Sequence, residues 1–147
     1  MSESRTSLPN TVEQSRDPTL LKALPGHTDR IANAVFHPSL KSIISASFDG
    51  TVRSWSLRPN ARPNKFVGHK GPVTDVACND RGTLIASCSR DMTVRIWDNN
   101  ASAACTIMKG HSAPVKSVGF NSDGTMLVSA GDDKLVKVWD VPKTKFI

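Results

Sequence analysis

Hydrophobic and polar positions along this chain alternate in short bursts, and no segment sustains a helical period. The stretches IANAVF, VTDVAC and VKSVGF read as short strands, followed by HPSLKS, NDRGT and NSDGT, which supply the Pro, Gly, Asn and Asp of turns. IISAS, LIASCS and LVSAG then form a second strand of small and β-branched residues. FDG, RDM and DDK make a tight turn, and TVRSW, TVRIW and LVKVW alternate as a third strand. A fourth strand fits RPNKFV and ACTIMK, with LLKAL before His27 and KTKFI at the C-terminus as partial copies. The pattern predicts an all-β chain of repeated four-stranded antiparallel units.

Rarer residues set the period. Gly-His occurs at Gly26-His27, Gly68-His69 and Gly110-His111, 42 residues apart each time. An Asp follows each His by 22 residues (Asp49, Asp91, Asp133), and a Trp follows each Asp by 6 (Trp55, Trp97, Trp139). Ser45, Ser87 and Ser129 stand four residues before those Asp residues. Ile31, Val73 and Val115, then Ala34, Val76 and Val118, recur on the same period. The chain therefore divides into a polar tail, 1–18, expected to be disordered, and three units at about 19–60, 61–102 and 103–147.

Composition narrows the classes. At 147 residues with 38% apolar and 22% charged residues, the chain fits a globular protein with a modest core. Aromatics are 5% and Tyr is absent, so the core must be built mainly from Val, Ile, Leu and Ala. No run approaches the roughly 18 apolar residues of a membrane span, and the N-terminus lacks the apolar core of a secretory signal, so a cytoplasmic or nuclear location is the expectation. Cys78, Cys88 and Cys105 have neither zinc nor disulfide spacing and read as small buried hydrophobes. The net charge of +6 lies wholly in residues 25–147, where 16 Lys and Arg face 10 Asp. Such a domain is drawn to acidic partners.

A four-stranded unit of 42 residues with Gly-His and a terminal Trp resembles the WD repeat, from about residue 19 to residue 147. The resemblance implies a β-propeller, non-enzymatic, in which His, Ser, Asp and Trp of each unit form a hydrogen-bonded chain inside one blade. The types suit that role: indole N–H only donates, hydroxyl does both, neutral imidazole does one of each, and carboxylate only accepts. It also implies a partner-binding face bearing the turn between strands two and three. There stand Phe48, Arg90 and Asp132, with Thr28, Arg30, Lys70, Pro72, Ser112 and Pro114 just after each His. Arg30, Lys70 and Arg90 would form a basic arc, and Phe48 a contact anchor. Arg53, Arg95 and Lys137 recur with the repeat and read as part of it.

KFVGHKGPV, IASCSRDMTVRIW, HSAPVKSVGF and DDKLVKVWDVPKTKF are similar, in the same order, to the proteome-of-centriole family of WD-repeat proteins. Unit one is the weaker match, departing at Phe48 and Ser56, and Cys88 stands where Gly is usual. That resemblance implies a cytoskeletal scaffold of centrioles, basal bodies or cilia, with tubulin, microtubules and centriolar or ciliary scaffold proteins as partners. It also implies seven blades and a C-terminal coiled coil. Propellers have 4–8 blades, so three units are expected to be the N-terminal part of a larger ring, or a short protein closed by an oligomeric partner.

Other functions fit less well. Ser, His and Asp are the parts of a hydrolase triad, but a catalytic site needs one copy, not three, and the Gly-x-Ser-x-Gly elbow is missing. No cofactor, small-molecule substrate, membrane or metal is expected; three His in different blades would point to different places around a ring. A ubiquitin-ligase substrate receptor often carries Trp-Asp-x-Arg, and no copy is complete after Trp55, Trp97 or Trp139. A nuclear RNA-processing or chromatin scaffold is favoured only by charge. Five Phe and no Tyr offer few stacking platforms for nucleic acid.

Overall fold

The computed structural model describes residues 17–144, without the side chains of 102 and 103. Each unit folds as an antiparallel sheet whose neighbours in sequence are neighbours in space. The first holds β1 (Ile31–Phe36), β2 (Ser42–Ser47), β3 (Thr51–Ser56) and β4 (Asn64–Val67) in that order. The second repeats it with β5 (Val73–Cys78), β6 (Leu84–Ser89), β7 (Thr93–Asp98) and β8 (Ala101–Lys109). The third comprises β9 (Val115–Phe120), β10 (Met126–Gly131) and β11 (Val136–Asp140). Register repeats with the period: Ser45 pairs Arg53, Ser87 pairs Arg95, and Ser129 pairs Lys137.

Two of the partial fourth strands differ from expectation. LLKAL, residues 20–24, lies in no strand. A strand there needs the third strand of another blade to pair with, and hydrogen-bonding partners are what make a strand stable. Val141–Lys143 is a 3-10 turn rather than the entry to a fourth strand, and the remainder of KTKFI beyond Thr144 lies outside the described residues. Most of the tail at 1–18 also lies outside them.

The sheets stack face to face, so the core is two seams rather than one centre. Ile44, Ala46, Val52 and Phe66 of the first blade meet Val73, Val76, Ile85 and Trp97 of the second. Ala86, Val94, Ile96 and Met108 of the second meet Val115, Val118 and Leu127 of the third. Successive residues of a strand point to opposite faces. Thus Ile85 serves one seam and Ala86 the other. Asp75 ties all three blades: its carboxylate accepts from Asn33 Nδ2 (2.6 Å) in the first and from the Val118 N–H (3.0 Å) in the third.

Candidate functional site

The Gly-His pair is dictated by the indole. A Cβ added at Gly26 would lie 2.8 Å from the Trp55 ring, closer than Cβ atoms come, and one at Gly110 would lie 3.1 Å from the Trp139 ring, so that the indole would have to give way. Backbone flattened onto the Trp edge then delivers the next residue, His, over the sheet. In the first blade Trp55 Nε1 donates to Ser45 Oγ (2.7 Å), the hydroxyl donates to His27 Nε2 (2.7 Å), and His27 Nδ1 donates to Asp49 Oδ2 (2.8 Å). The second blade repeats this through Trp97, Ser87, His69 and Asp91 at 2.8, 2.7 and 2.9 Å. The third does so through Trp139, Ser129, His111 and Asp133 at 2.8, 2.8 and 2.7 Å. Every hydroxyl proton and imidazole nitrogen along the chain is used. A Ser whose proton is held by His and whose oxygen is held by Trp is a structural joint, three times over.

The carboxylates are held as firmly. Burial alone would raise the pKa of Asp49, but hydrogen bonds from the Thr51 hydroxyl, His27 and the N–H groups of Thr51 and Thr28 outweigh it. The carboxyl sits well below its ordinary range. Asp91 is likewise lowered against burial by His69, the Thr93 hydroxyl and the Lys70 N–H, and Asp133 by His111 and the Leu135 and Ser112 N–H groups. Burial lowers the imidazole of His69, opposed by Asp91. Thr51 and Thr93, which donate to Asp49 and Asp91 at 2.6 Å each, escaped the sequence reading, because the third unit carries Leu135 at that position. Arg53 and Arg95 stack over Trp55 and Trp97 at 5.8 Å, fitting cations that recur with the repeat. Burial raises the thiols of Cys78 and Cys88 to about 11 and 12, so neither is a ready nucleophile.

The residues of the proposed partner face come together in pairs. The residue before each Asp donates its N–H to the carbonyl three residues after the His: Phe48 to Arg30 (3.0 Å), Arg90 to Pro72 (3.0 Å), and Asp132 to Pro114 (2.8 Å). Thr28, Lys70 and Ser112 each give a backbone N–H to the structural Asp and leave an exposed side chain. Adjacent blades then bring two guanidiniums onto one ring. Arg30 lies 4.2 Å and Arg90 5.0 Å from the Phe48 centroid. Phe48, Lys70 and Pro72 line an adjoining cavity of about 260 Å³. In the third blade the sign changes, since Asp132 pairs with Lys116 at 3.8 Å.

Stacked antiparallel sheets, each locked by a His–Ser–Asp–Trp chain, define a class: blades of a β-propeller. The WD domain, G-beta repeat family matches residues 18–56, 61–98 and 103–140, and the chain belongs to that family. Proteins of this family are generally non-catalytic scaffolds. Similar relatives include the 26S proteasome regulatory subunit RPN14 of Saccharomyces cerevisiae, 38% identical over 56 residues. Pre-mRNA-processing factor 19 of Bos taurus is 41% identical over 64 residues, and POC1 centriolar protein homolog B of Mus musculus 43% over 51 residues. Those matches cover 38%, 43% and 35% of this chain, and only 13%, 12% and 11% of the relatives. Among solved structures, that of U3-55K is similar with a TM-score of 0.78 and 26% identity, over 86% of this chain and 40% of the other.

Proposed function

We propose that this chain is a scaffold that holds an acidic protein segment against the Arg30–Phe48–Arg90 stack. The observation that carries the reading is the stack itself. Two guanidiniums from neighbouring blades flank one aromatic ring, and neither has an ion-pair partner among the described residues. Stacking on a ring leaves the edges of a guanidinium free to fork onto carboxylates. Lys70 and Pro72 extend the surface, while the Asp132 side of the face repels the same partner.

Acidic tubulin tails suit such a surface. The centriolar placement is supported by the motif resemblance and by the 43% identity to POC1 centriolar protein homolog B. In this reading further propeller blades, seven in all, complete the ring. A second reading, a nuclear RNA-processing scaffold, is favoured by the 41% identity to pre-mRNA-processing factor 19.

Pelleting with taxol-stabilised microtubules tests the first reading. Charge reversal at Arg30, Lys70 and Arg90 is expected to weaken co-sedimentation by about tenfold or more; pelleting indifferent to those changes removes the tubulin contact. A fluorescently tagged chain should mark centrioles or basal bodies, whereas purely nuclear signal would select the second reading.

A further inference from the structure

The turns between β2 and β3 and between β6 and β7 lie at one end of the blades, and the Arg30–Phe48–Arg90 stack sits there. At the opposite end, where β1 turns into β2 and β3 into β4, a cavity of about 490 Å³ opens across the first seam. Its walls carry Lys41, Arg58 and Arg62 from the first blade and Arg81 from the second. None of the four has an ion pair among the described residues, and no carboxylate lines the cavity. Asp80 and Asp98, adjacent in sequence to two lining residues, are not part of the lining, and Asp98 Oδ1 accepts the Asn100 N–H at 2.8 Å.

The floor is fixed before any ligand arrives. His37 Nε2 donates to the Gly82 carbonyl at 3.0 Å, stapling the β1–β2 turn to the β5–β6 turn of the next blade. Asn99 Nδ2 donates to the same carbonyl at 3.0 Å. Gly82 has φ +73° and a Cβ there would run into the His37 ring, so the approach requires glycine. Two turns clasped in this way fix the backbone that carries Lys41 and Arg81, which lowers the ordering cost of binding to that of the exposed side chains themselves.

We propose that this cleft is a binding site for a small, soluble, multiply phosphorylated polyol. Four cations with no acid in the lining attract an anion, and guanidiniums favour the forked geometry of phosphate oxygens. The rest of the lining sorts between anions. Hydroxyls and side-chain amides, such as Ser54, Thr83 and Asn64, match phosphate and polyol oxygens. No apolar side chain is present to anchor a peptide, and no Phe or Trp to stack a base. The volume is that of a small-molecule site.

Titration calorimetry of the 147-residue chain with inositol hexakisphosphate tests the proposal. Saturable one-to-one binding is expected, weakened by about a hundredfold in the R62Q/R81Q double variant, since two charge-assisted contacts are lost. K41Q/R58Q is a second pair with the same expectation, and tryptophan fluorescence verifies folding of both. K116Q/K134Q removes equal charge from the third blade, outside the cleft lining, and should leave affinity within about twofold, because salt screens charges beyond ~8 Å. Absence of binding, or equal weakening in all three variants, overturns the site. Tighter binding of a single-stranded oligonucleotide, or of phosphatidylcholine vesicles containing phosphatidylinositol bisphosphate, overturns the ligand class or its soluble source.

Discussion

At the scale of the residue, the serine of each tetrad is its most exposed weakness, because one small hydroxyl satisfies two larger groups. Ser87 is fully buried and joins the Trp97 N–H to His69 Nε2. Ser87→Ala leaves a buried donor and a buried acceptor unpaired, each costing about 1–3 kcal/mol. The expected result is a fall in the urea midpoint of unfolding that Ser87→Cys or Ser87→Gly does not repair. Titration acts on the same groups. His69 is lowered from 6.5, so an unfolded chain takes up a proton there before the folded one does. Its contribution is complete above pH ~6.5 and declines as pH drops toward the lowered folded value. Asp49, Asp91 and Asp133 are also lowered. Their contribution is complete above pH ~4 and is lost as pH falls from there toward the folded values. Denaturation across pH should therefore show a shallow loss below about 6.5 and a steeper one below about 4. Stability that rises on acidification would contradict this bonding scheme, in which His Nδ1 donates and Asp accepts.

At the scale of the element, the repeat exposes its own irregularities. The turn after the first strand needs a left-handed residue, which the second and third blades supply as Gly82 (φ +73°) and Gly124 (φ +74°). In the first blade Leu40 takes that position at φ 60°, exposed to solvent. A left-handed L-residue costs roughly 1–2 kcal/mol, against about 0.5–1 kcal/mol for the extra freedom of glycine in the unfolded chain. Leu40→Gly is thus expected to raise stability by about 0.5–1 kcal/mol, seen as a higher melting temperature. The same repetition explains what could be read beforehand. His27, Ser45, Asp49 and Trp55 were legible because their counterparts recur at a fixed interval, and so were the strands, whose apolar positions recur with them. Thr51 was not, since Leu135 breaks its series. The Phe48 stack was half legible: position marked the face, but nothing in one unit says that the next blade will lay Arg90 across the ring. Lys41, Arg58, Arg62 and Arg81 sit in turns that differ from unit to unit, and only the seam between two blades gathers them.

At the scale of the whole molecule, one blade has two neighbours and two blades have one. Equivalent positions make this measurable: Val52 and Val94 are 0% exposed, whereas Val136 is 69% exposed. At the other end Ile31 is 51% exposed while Val73 and Val115 are at 0%. Among the described residues, nothing covers the β1 face of the first blade or the β10–β11 face of the third. In stacked repeats stability is close to a sum of unit and interface contributions, so units with one interface open more easily than a unit with two. Amide hydrogen exchange should reveal a gradient along the stack. Amides of β6, an interior strand of the middle blade, are expected to exchange at least about tenfold more slowly than those of its interior equivalents β2 and β10. Protection that is uniform across the three sheets would mean that the open faces are covered in solution, and sedimentation at two concentrations would then identify self-association as the cover. Faster exchange in β2 and β10 than in β6 would place the seams, rather than the tetrads, in control of cooperativity: each of these strands carries the serine of a locked quartet, and the blades differ in their neighbours.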